Sequence, residues 1–201
     1  SVGSCGCNMD CPFCQNYEIA GAGEDFPAES VTPRRLAELA EGLKTRGNIG
    51  LAYTYNEPLV GWEFVRDCAI EIRARGMKNE IQRELLPLID AYNIDLKGFT
   101  EEWYKKLGGD LETVKRFIAA AAGAAHVELT TLIVPGENDG EDEMRALSSW
   151  VASLDMRIPL HVTRFFPRRL MTDRPPTPKE TLFRLAEIAR EKLETVIVGN
   201  V

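Results

Sequence analysis

Short apolar runs alternate with amphipathic segments along most of this chain, and this alternation constrains the fold more than any other feature. Strands that are separated by helices of this length indicate a parallel sheet built from βα units. Too few units are visible for a closed eight-stranded barrel, so we predict an α/β fold of the open, partial (β/α)6 barrel type. The predicted strands are Ser1–Cys5, Ile49–Tyr53, Tyr92–Leu96, Val127–Val134, Leu160–Phe165 and Thr195–Val198.

The helices are predicted between these strands. The clearest start is at Thr32 and Pro33, where a threonine N-cap precedes a proline at the first helical position. Leu36, Leu39 and Ala40 then fall on one face of that helix. The other predicted helices are Leu59–Arg75, Ile81–Leu88, Leu111–Ala122, Glu141–Ser153 and Thr177–Lys192.

The alternation fails once, in the region after Arg75. A helix that ends near Asn79 runs directly into a polar helix beginning at Glu80, and no strand signal separates them. Two consecutive helices do not fit a βα repeat. We therefore hypothesise that a strand and its loop are missing between residues 79 and 80. The 201 residues otherwise fit one domain, spanning residues 1–201, because a domain typically has about 100–200 residues.

Three cysteines, Cys7, Cys11 and Cys14, are crowded into one short loop with the spacing C-x3-C-x2-C. This loop is too tight for a disulfide framework and lacks the fourth thiolate of a closed metal cage. Three protein ligands leave one coordination position open, which is typical of a catalytic metal site. We expect a [4Fe–4S] cluster with one free iron, and a zinc site is the alternative. We also expect metal ligation to organise the loop.

The remaining cysteines and the overall charge limit the possible cellular compartments and binding partners. An odd number of cysteines, five, clustered at one end argues against a secreted disulfide scaffold and favours a reducing cytoplasm. Cys68 falls on an apolar helix face, whereas Cys5 is a weak alternative ligand. No signal peptide or membrane-spanning run is visible. The net charge of −7, without a basic stripe, argues against nucleic acid as a partner.

Polar residues follow the predicted strands, where parallel β/α folds place their catalytic groups. Asp95 and Lys97 could form a site, but they could also form a surface ion pair that contributes little. His161 could likewise be a hydrogen-bonded core histidine. The segments in question are Tyr53–Pro58, Asn93–Gly98, Leu132–Asp139 and His161–Arg164.

The cysteine spacing, with Phe13 just before the third cysteine, resembles the signature of the radical S-adenosylmethionine (SAM) superfamily. The phrases Tyr53–Pro58, Asp95–Gly98 and Met171–Pro178 are similar to those of glycyl-radical-enzyme activases such as the pyruvate formate-lyase activating enzymes. They are more closely similar to those of the AmmeMemoRadiSam radical SAM family. The resemblance covers most of the chain, and it implies relatives that extend further at both ends.

The resemblance also implies roles for individual residues. Two departures from the family pattern are visible: Tyr55 and Asn56 replace a glycine pair, and a Thr-Asn-Gly loop is absent where the alternation fails. The implied cluster ligands are Cys7, Cys11 and Cys14. The implied SAM contacts are the Phe13 backbone and Val134 near adenine, Asn56 and Glu57 near the amino group, and Asp95, Lys97 and His161 around ribose and carboxylate.

By this resemblance, the chain cleaves SAM reductively to methionine and a 5′-deoxyadenosyl radical, which abstracts hydrogen from a substrate. The substrate is either a backbone glycine of a partner glycyl-radical enzyme, or a small molecule or another protein. A small electron donor of the flavodoxin or ferredoxin type would reduce the cluster. No membrane or nucleic-acid partner is expected. The alternative from another class is a non-catalytic iron–sulfur or zinc module.

Overall fold

The computed structural model describes residues 1–23, 25–54, 57–76, 78–79 and 88–201. Their contacts divide them into two compact units. The first unit contains residues 1–8 and 16–92, and the second contains residues 9–15 and 93–201. Among the described residues, no helix is long and apolar enough to cross a membrane.

The described residues of the first unit form short strands and three α-helices. Its helix α2 begins where the sequence predicts, because the Thr32 hydroxyl accepts a hydrogen bond from the Arg35 N–H at 3.2 Å and Pro33 opens the helix. The predicted opening strand is reduced to one bridge between Val2 and Tyr53. The elements are α1 (Tyr17–Ala20), α2 (Pro33–Gly42), β1 (Gly50–Leu51), α3 (Trp62–Ala74) and β2 (Lys78–Asn79).

A short strand follows α3, at the place where the sequence shows none. β2 pairs in parallel with β1. The prediction that a helix passes into the next helix without a strand is therefore wrong. Lys78 and Asn79 carry no apolar signal that could reveal a strand. The hypothesised missing segment after residue 79, and the predicted helix Ile81–Leu88 up to residue 87, lie outside the described residues.

The second unit, together with the strand that leads into it, forms a four-stranded sheet in the order β3-β4-β5-β6. The pairs β4–β5 and β5–β6 are parallel, as predicted. Helix α4 was not predicted, because it is too short to show a periodic pattern. The elements are β3 (Ala91–Asp95), α4 (Glu101–Lys106), α5 (Leu111–Ala122), β4 (His126–Ile133), α6 (Glu141–Leu154), β5 (Leu160–Arg164), α7 (Lys179–Arg190) and β6 (Val196–Gly199).

The two faces of this sheet differ in character. Along β4, Leu129 and Ile133 are fully buried on one face, whereas Glu128 and Thr130 on the other are partly exposed. Helices α5 and α7 contact the strands of this sheet. Parallel sheets are usually apolar on both faces because both are covered. A polar, accessible face on parallel strands is therefore a candidate for binding or chemistry.

Candidate active site

Main-chain hydrogen bonds anchor residues 10–14 of the cysteine loop. The Asp10 N–H donates to the Leu107 carbonyl at 3.0 Å, and the Leu170 N–H donates to the Pro12 carbonyl at 2.9 Å. Cys11 is buried, and the Cys14 N–H closes a turn onto the Cys11 carbonyl at 3.1 Å. The expectation that metal ligation organises this loop is thus too strong, since main-chain bonds already fix this part of it.

Phe13 anchors the same loop in an apolar core. Its ring stacks on Trp103, with centroids 5.8 Å apart, and meets Phe165 edge-on. Val134 is fully buried in this cluster beside Phe13 and Cys11. The predicted adenine contacts at Phe13 and Val134 thus fall on residues whose side chains serve packing. Their roles toward SAM stay predictions.

Two predicted site residues lie in the first unit. Cys7 is half-buried and follows Gly6, whose N–H donates to the Ile19 carbonyl at 3.1 Å. Gly6 has φ +94°, a conformation that favours glycine. Glu57 is half-buried, and its carbonyl accepts from the Val60 N–H at 3.1 Å. The predicted contact at Asn56 lies outside the described residues.

Asp95 and Lys97 form a close ion pair at the carboxyl end of β3. The Lys97 ammonium lies 2.6 Å from the Asp95 carboxylate, and the lysine side chain is 19% exposed. Burial lowers the pKa of Lys97, but Asp95 outweighs this effect, with a smaller contribution from Cys11, so the net pKa is raised. Lys97 is therefore more buried than the lysine of an ordinary surface ion pair, although the Asp95 side chain is 56% exposed.

The backbone of Lys97 is fixed by three buried side chains. Its carbonyl accepts from the Trp103 indole at 2.8 Å and from the Asn138 amide at 2.9 Å. Its N–H donates to the Tyr104 hydroxyl at 3.1 Å. Burial raises the pKa of Tyr104 to about 12, so the phenol stays protonated. This network holds Lys97 in place independently of any ligand.

Asn138 connects the segment after β3 to the segment after β4. Its side-chain oxygen accepts from the Val134 N–H at 2.7 Å, and its amide also donates to the Leu132 carbonyl at 2.8 Å. Only 3% of Asn138 is exposed, and its other bond goes to Lys97. Asn138 therefore links two of the predicted SAM-binding segments, a role that sequence reasoning missed.

Strand register brings Asp95, Thr130 and His161 to one level of the polar face. The Leu96 N–H donates to the Thr130 carbonyl at 2.9 Å, which in the parallel pattern places Asp95 beside Thr130. Thr130 is paired with His161 on β5. Asp95 and His161 are thus two strand spacings apart, about 10 Å.

His161 is only the second residue of β5, so the prediction that it lies at the carboxyl end of its strand is wrong. The stagger between strands, which the sequence does not show, still brings it level with Asp95.

Both histidines of the chain bind Glu128. The Nε2 of His161 lies 2.7 Å from one carboxylate oxygen, and the Nε2 of His126 lies 3.1 Å from the other. These contacts hold the pKa of Glu128 below its usual value. Because each imidazole takes a different oxygen, the three side chains do not converge on one point. Within the described ranges, no three His, Cys, Asp or Glu side chains are gathered as a metal site.

A family model described as the radical SAM superfamily matches residues 1–147, which include the cysteine loop and the Asp95–Lys97 pair. The chain belongs to the radical SAM superfamily. A relative from Methanocaldococcus jannaschii, described as an uncharacterized protein, is 39% identical over 213 residues. The match covers 98% of this chain but only 62% of the relative.

Solved radical SAM structures share the fold. A domain of pyruvate-formate lyase-activating enzyme from Bacteroides vulgatus aligns with TM-score 0.61 at 18% identity, covering 75% of this chain and 99% of that one. The methyltransferase TsrM from Kitasatospora setae, solved with cobalamin and a [4Fe–4S] cluster, aligns with TM-score 0.62 at 16% identity, covering 86% and 38%. These similarities confirm the α/β class and agree with an open, partial barrel. The AmmeMemoRadiSam assignment stays a prediction.

The [4Fe–4S] cluster and SAM are the cofactors of this superfamily, which confirms both expectations at the level of the family. The residues present fit the cluster by their donor chemistry. Cys7, Cys11 and Cys14 lie close together in the sequence and form no disulfide bond, and thiolates are the usual ligands of iron–sulfur clusters. Bound there, the cluster would supply the electron for SAM cleavage.

Proposed function

We propose that this chain cleaves SAM reductively and uses the resulting 5′-deoxyadenosyl radical to abstract a hydrogen atom from a substrate. The observation that carries the proposal is the link through Trp103, whose indole donates to the Lys97 carbonyl at 2.8 Å and whose ring stacks on Phe13 of the cysteine loop with centroids 5.8 Å apart. Trp103 thus connects the segment of a predicted SAM-binding cation to the loop of the predicted cluster ligands. A non-catalytic iron–sulfur or zinc module gives no reason for this arrangement.

The residues of the chain would divide the work. Cys7, Cys11 and Cys14 would hold the cluster, and the fixed Lys97 ammonium would bind the SAM carboxylate or ribose. Glu57 would accept from the SAM amino group. The burial of Cys11 would keep water and oxygen away from its side of the cluster.

A glycyl-radical activase is our first proposal for the type of reaction, so the substrate would be a backbone glycine of a partner enzyme. It is supported by the similarity in fold to the activating-enzyme domain. The reductant would be a small donor of the flavodoxin or ferredoxin type, and cysteines without a disulfide bond agree with a reducing cytoplasm.

Modification of a small polar molecule is the second candidate, and the polar sheet face favours it. Glu128, Thr130 and His161 offer several hydrogen-bonding groups on a partly exposed surface. Such groups would fix the orientation of a small substrate. An extended peptide would mainly need an accessible groove.

Release of 5′-deoxyadenosine tests the proposed function. The protein would be reconstituted with iron and sulfide without oxygen, reduced, and given SAM. Cys11→Ala should abolish release, whereas Cys5→Ala should not, because Cys5 is exposed and outside the motif. Equal release by the native protein and Cys11→Ala would contradict the proposal.

The type of substrate can be tested in the same assay. An extract of the source cells would be separated by ultrafiltration into a protein fraction and a small-molecule fraction. Stimulation of 5′-deoxyadenosine release by the protein fraction would support the activase. Stimulation by the small-molecule fraction alone would favour the second candidate.

A further inference from the structure

The turn at residues 168–171 has an arginine where the backbone favours glycine. Arg168 and Met171 form an antiparallel bridge, and the Met171 N–H donates to the Arg168 carbonyl at 2.9 Å. Arg169 lies at the tip of the turn with φ +50°. Residues other than glycine rarely adopt this conformation, because of their Cβ atom. The position therefore needs an explanation in terms of the arginine side chain.

This turn contacts three consecutive residues of the cysteine loop. One Arg169 nitrogen donates to the Cys11 carbonyl at 2.9 Å, and another lies 2.6 Å from the Asp10 carboxylate. The neighbouring Leu170 N–H donates to the Pro12 carbonyl at 2.9 Å. The planar guanidinium suits such a two-point contact, since its donors are fixed relative to one another.

The contact also places a positive charge beside a predicted cluster ligand. Only 26% of the Arg169 side chain is exposed, whereas its partner Asp10 is 78% exposed. Water therefore screens the negative charge of Asp10 more than the positive charge of Arg169. Cys11 itself is buried. The environment of Cys11 is thus made more positive by Arg169.

We propose that Arg169 is a positioning residue that holds the Cys11 side of the cysteine loop and makes a cluster bound there easier to reduce. The inference rests on the proposed function, in which this loop binds the cluster. Reduction adds a negative charge to the cluster, so a nearby cation and hydrogen bonds to the ligand segment favour the reduced state.

Hydrogen exchange on the cluster-free protein tests the positioning. In Arg169→Gln, the amides of residues 10–14 should exchange about tenfold faster than in the native protein. Arg168→Gln is the matched control, because it removes the same charge from an exposed neighbour, and it should leave exchange unchanged. Unchanged exchange in Arg169→Gln would overturn the proposal.

Arg169→Gly separates the side-chain contacts from the backbone conformation. Glycine adopts positive φ easily, so this variant keeps the turn but loses both guanidinium contacts. The loop should exchange as fast as in Arg169→Gln. A glycine variant that protects the loop as well as the native protein would show that the turn alone suffices, and would overturn the role of the side chain.

The reduction potential of the reconstituted protein tests the charge. At a fixed potential, Arg169→Gln should lower the ratio of reduced to oxidised cluster about tenfold, which is about 59 mV for one electron. Arg169→Lys should recover part of the loss, and Asp10→Asn should shift the ratio the other way. An unchanged reduction potential in Arg169→Gln would overturn the proposed effect of the Arg169 charge on cluster reduction. If the native protein assembles no cluster, the proposed function fails, while hydrogen exchange still decides the positioning.

Discussion

Lys97 follows strand β3 and His161 lies on strand β5 of the same sheet, but the molecule supports them differently. Lys97 is fixed through its backbone by Trp103, Tyr104 and Asn138, all of them buried. His161 is held through its side chain by Glu128, which is 35% exposed. Buried backbone contacts fix a position, whereas accessible side-chain contacts can be exchanged for contacts to a ligand. We infer that the Lys97 region is preformed for a ligand and that the His161 region can adapt to one.

The largest effect is expected at Asn138. Asn138→Ala should lower the free energy of unfolding by about 3 kcal/mol, because it removes three buried hydrogen bonds, to the Val134 N–H and to the Leu132 and Lys97 carbonyls. The Lys97 carbonyl would keep its bond from the Trp103 indole. Asn93→Ala is the control, since this side chain is exposed and accepts a hydrogen bond from the Thr130 hydroxyl. Urea unfolding measures both. Equal losses would mean that the Lys97 region is not specially fixed.

Gly98→Ala should be the next most damaging change. A Cβ at this position would lie 2.6 Å from Trp103, whose indole binds the Lys97 carbonyl. The indole would have to move, at a cost of about 2 kcal/mol. Gly42→Ala adds a methyl group at a helix end where nothing lies within 4 Å. Gly42→Ala should therefore leave the free energy of unfolding unchanged in the same experiment. If Gly98→Ala also left it unchanged, the tight packing of Gly98 against Trp103 would be contradicted.

Lys97→Gln should weaken SAM binding about tenfold, since one charge-assisted contact contributes about 1.4 kcal/mol. Lys106→Gln is the matched control, because Lys106 is half-exposed and pairs with Glu102 and Glu137. Titration calorimetry with SAM on the reconstituted protein compares the two variants. A stronger effect from Lys106 than from Lys97 would place the SAM carboxylate elsewhere.

The smallest effect is expected at Glu128. Its pKa is lowered from 4.5 by its hydrogen bonds to His126 and His161, so its contribution to stability is present above pH 4.5 and is lost as the pH falls through the lower folded-state value. Glu128→Gln should therefore be less stable than the native protein at neutral pH, by less than about 1 kcal/mol at this exposure. The difference should vanish in acid. Thermal unfolding across this pH range measures the difference in stability. A difference that stays constant with pH would contradict the role of the charged Glu128 carboxylate.

The sequence predicts the regular parts of the fold because their signals are local. Helix α5 spans the predicted residues Leu111–Ala122, and the Thr32 cap lies where the sequence indicates. The strand β2 was missed because two polar residues carry no periodic pattern. Its pairing with β1 depends on residues distant in sequence.

The sequence points to the candidate site residues but not to the contacts that support them. Cysteine spacing and the position after a strand point to Cys11 and Lys97. The stagger that places His161 level with Asp95 depends on strand register, which no single segment encodes. Asn138 and Arg169 were missed for a similar reason, because their importance arises from contacts made across the fold.

The most direct test of the central claim is electron paramagnetic resonance of the reconstituted, reduced protein with and without SAM. Three cysteine ligands leave one iron open, so the account predicts a [4Fe–4S] signal that changes when SAM binds. Cys11→Ala should show neither the full signal nor the change, and Cys5→Ala should show both. A full signal that SAM leaves unchanged would contradict the claim that this cysteine loop holds a cluster open to SAM.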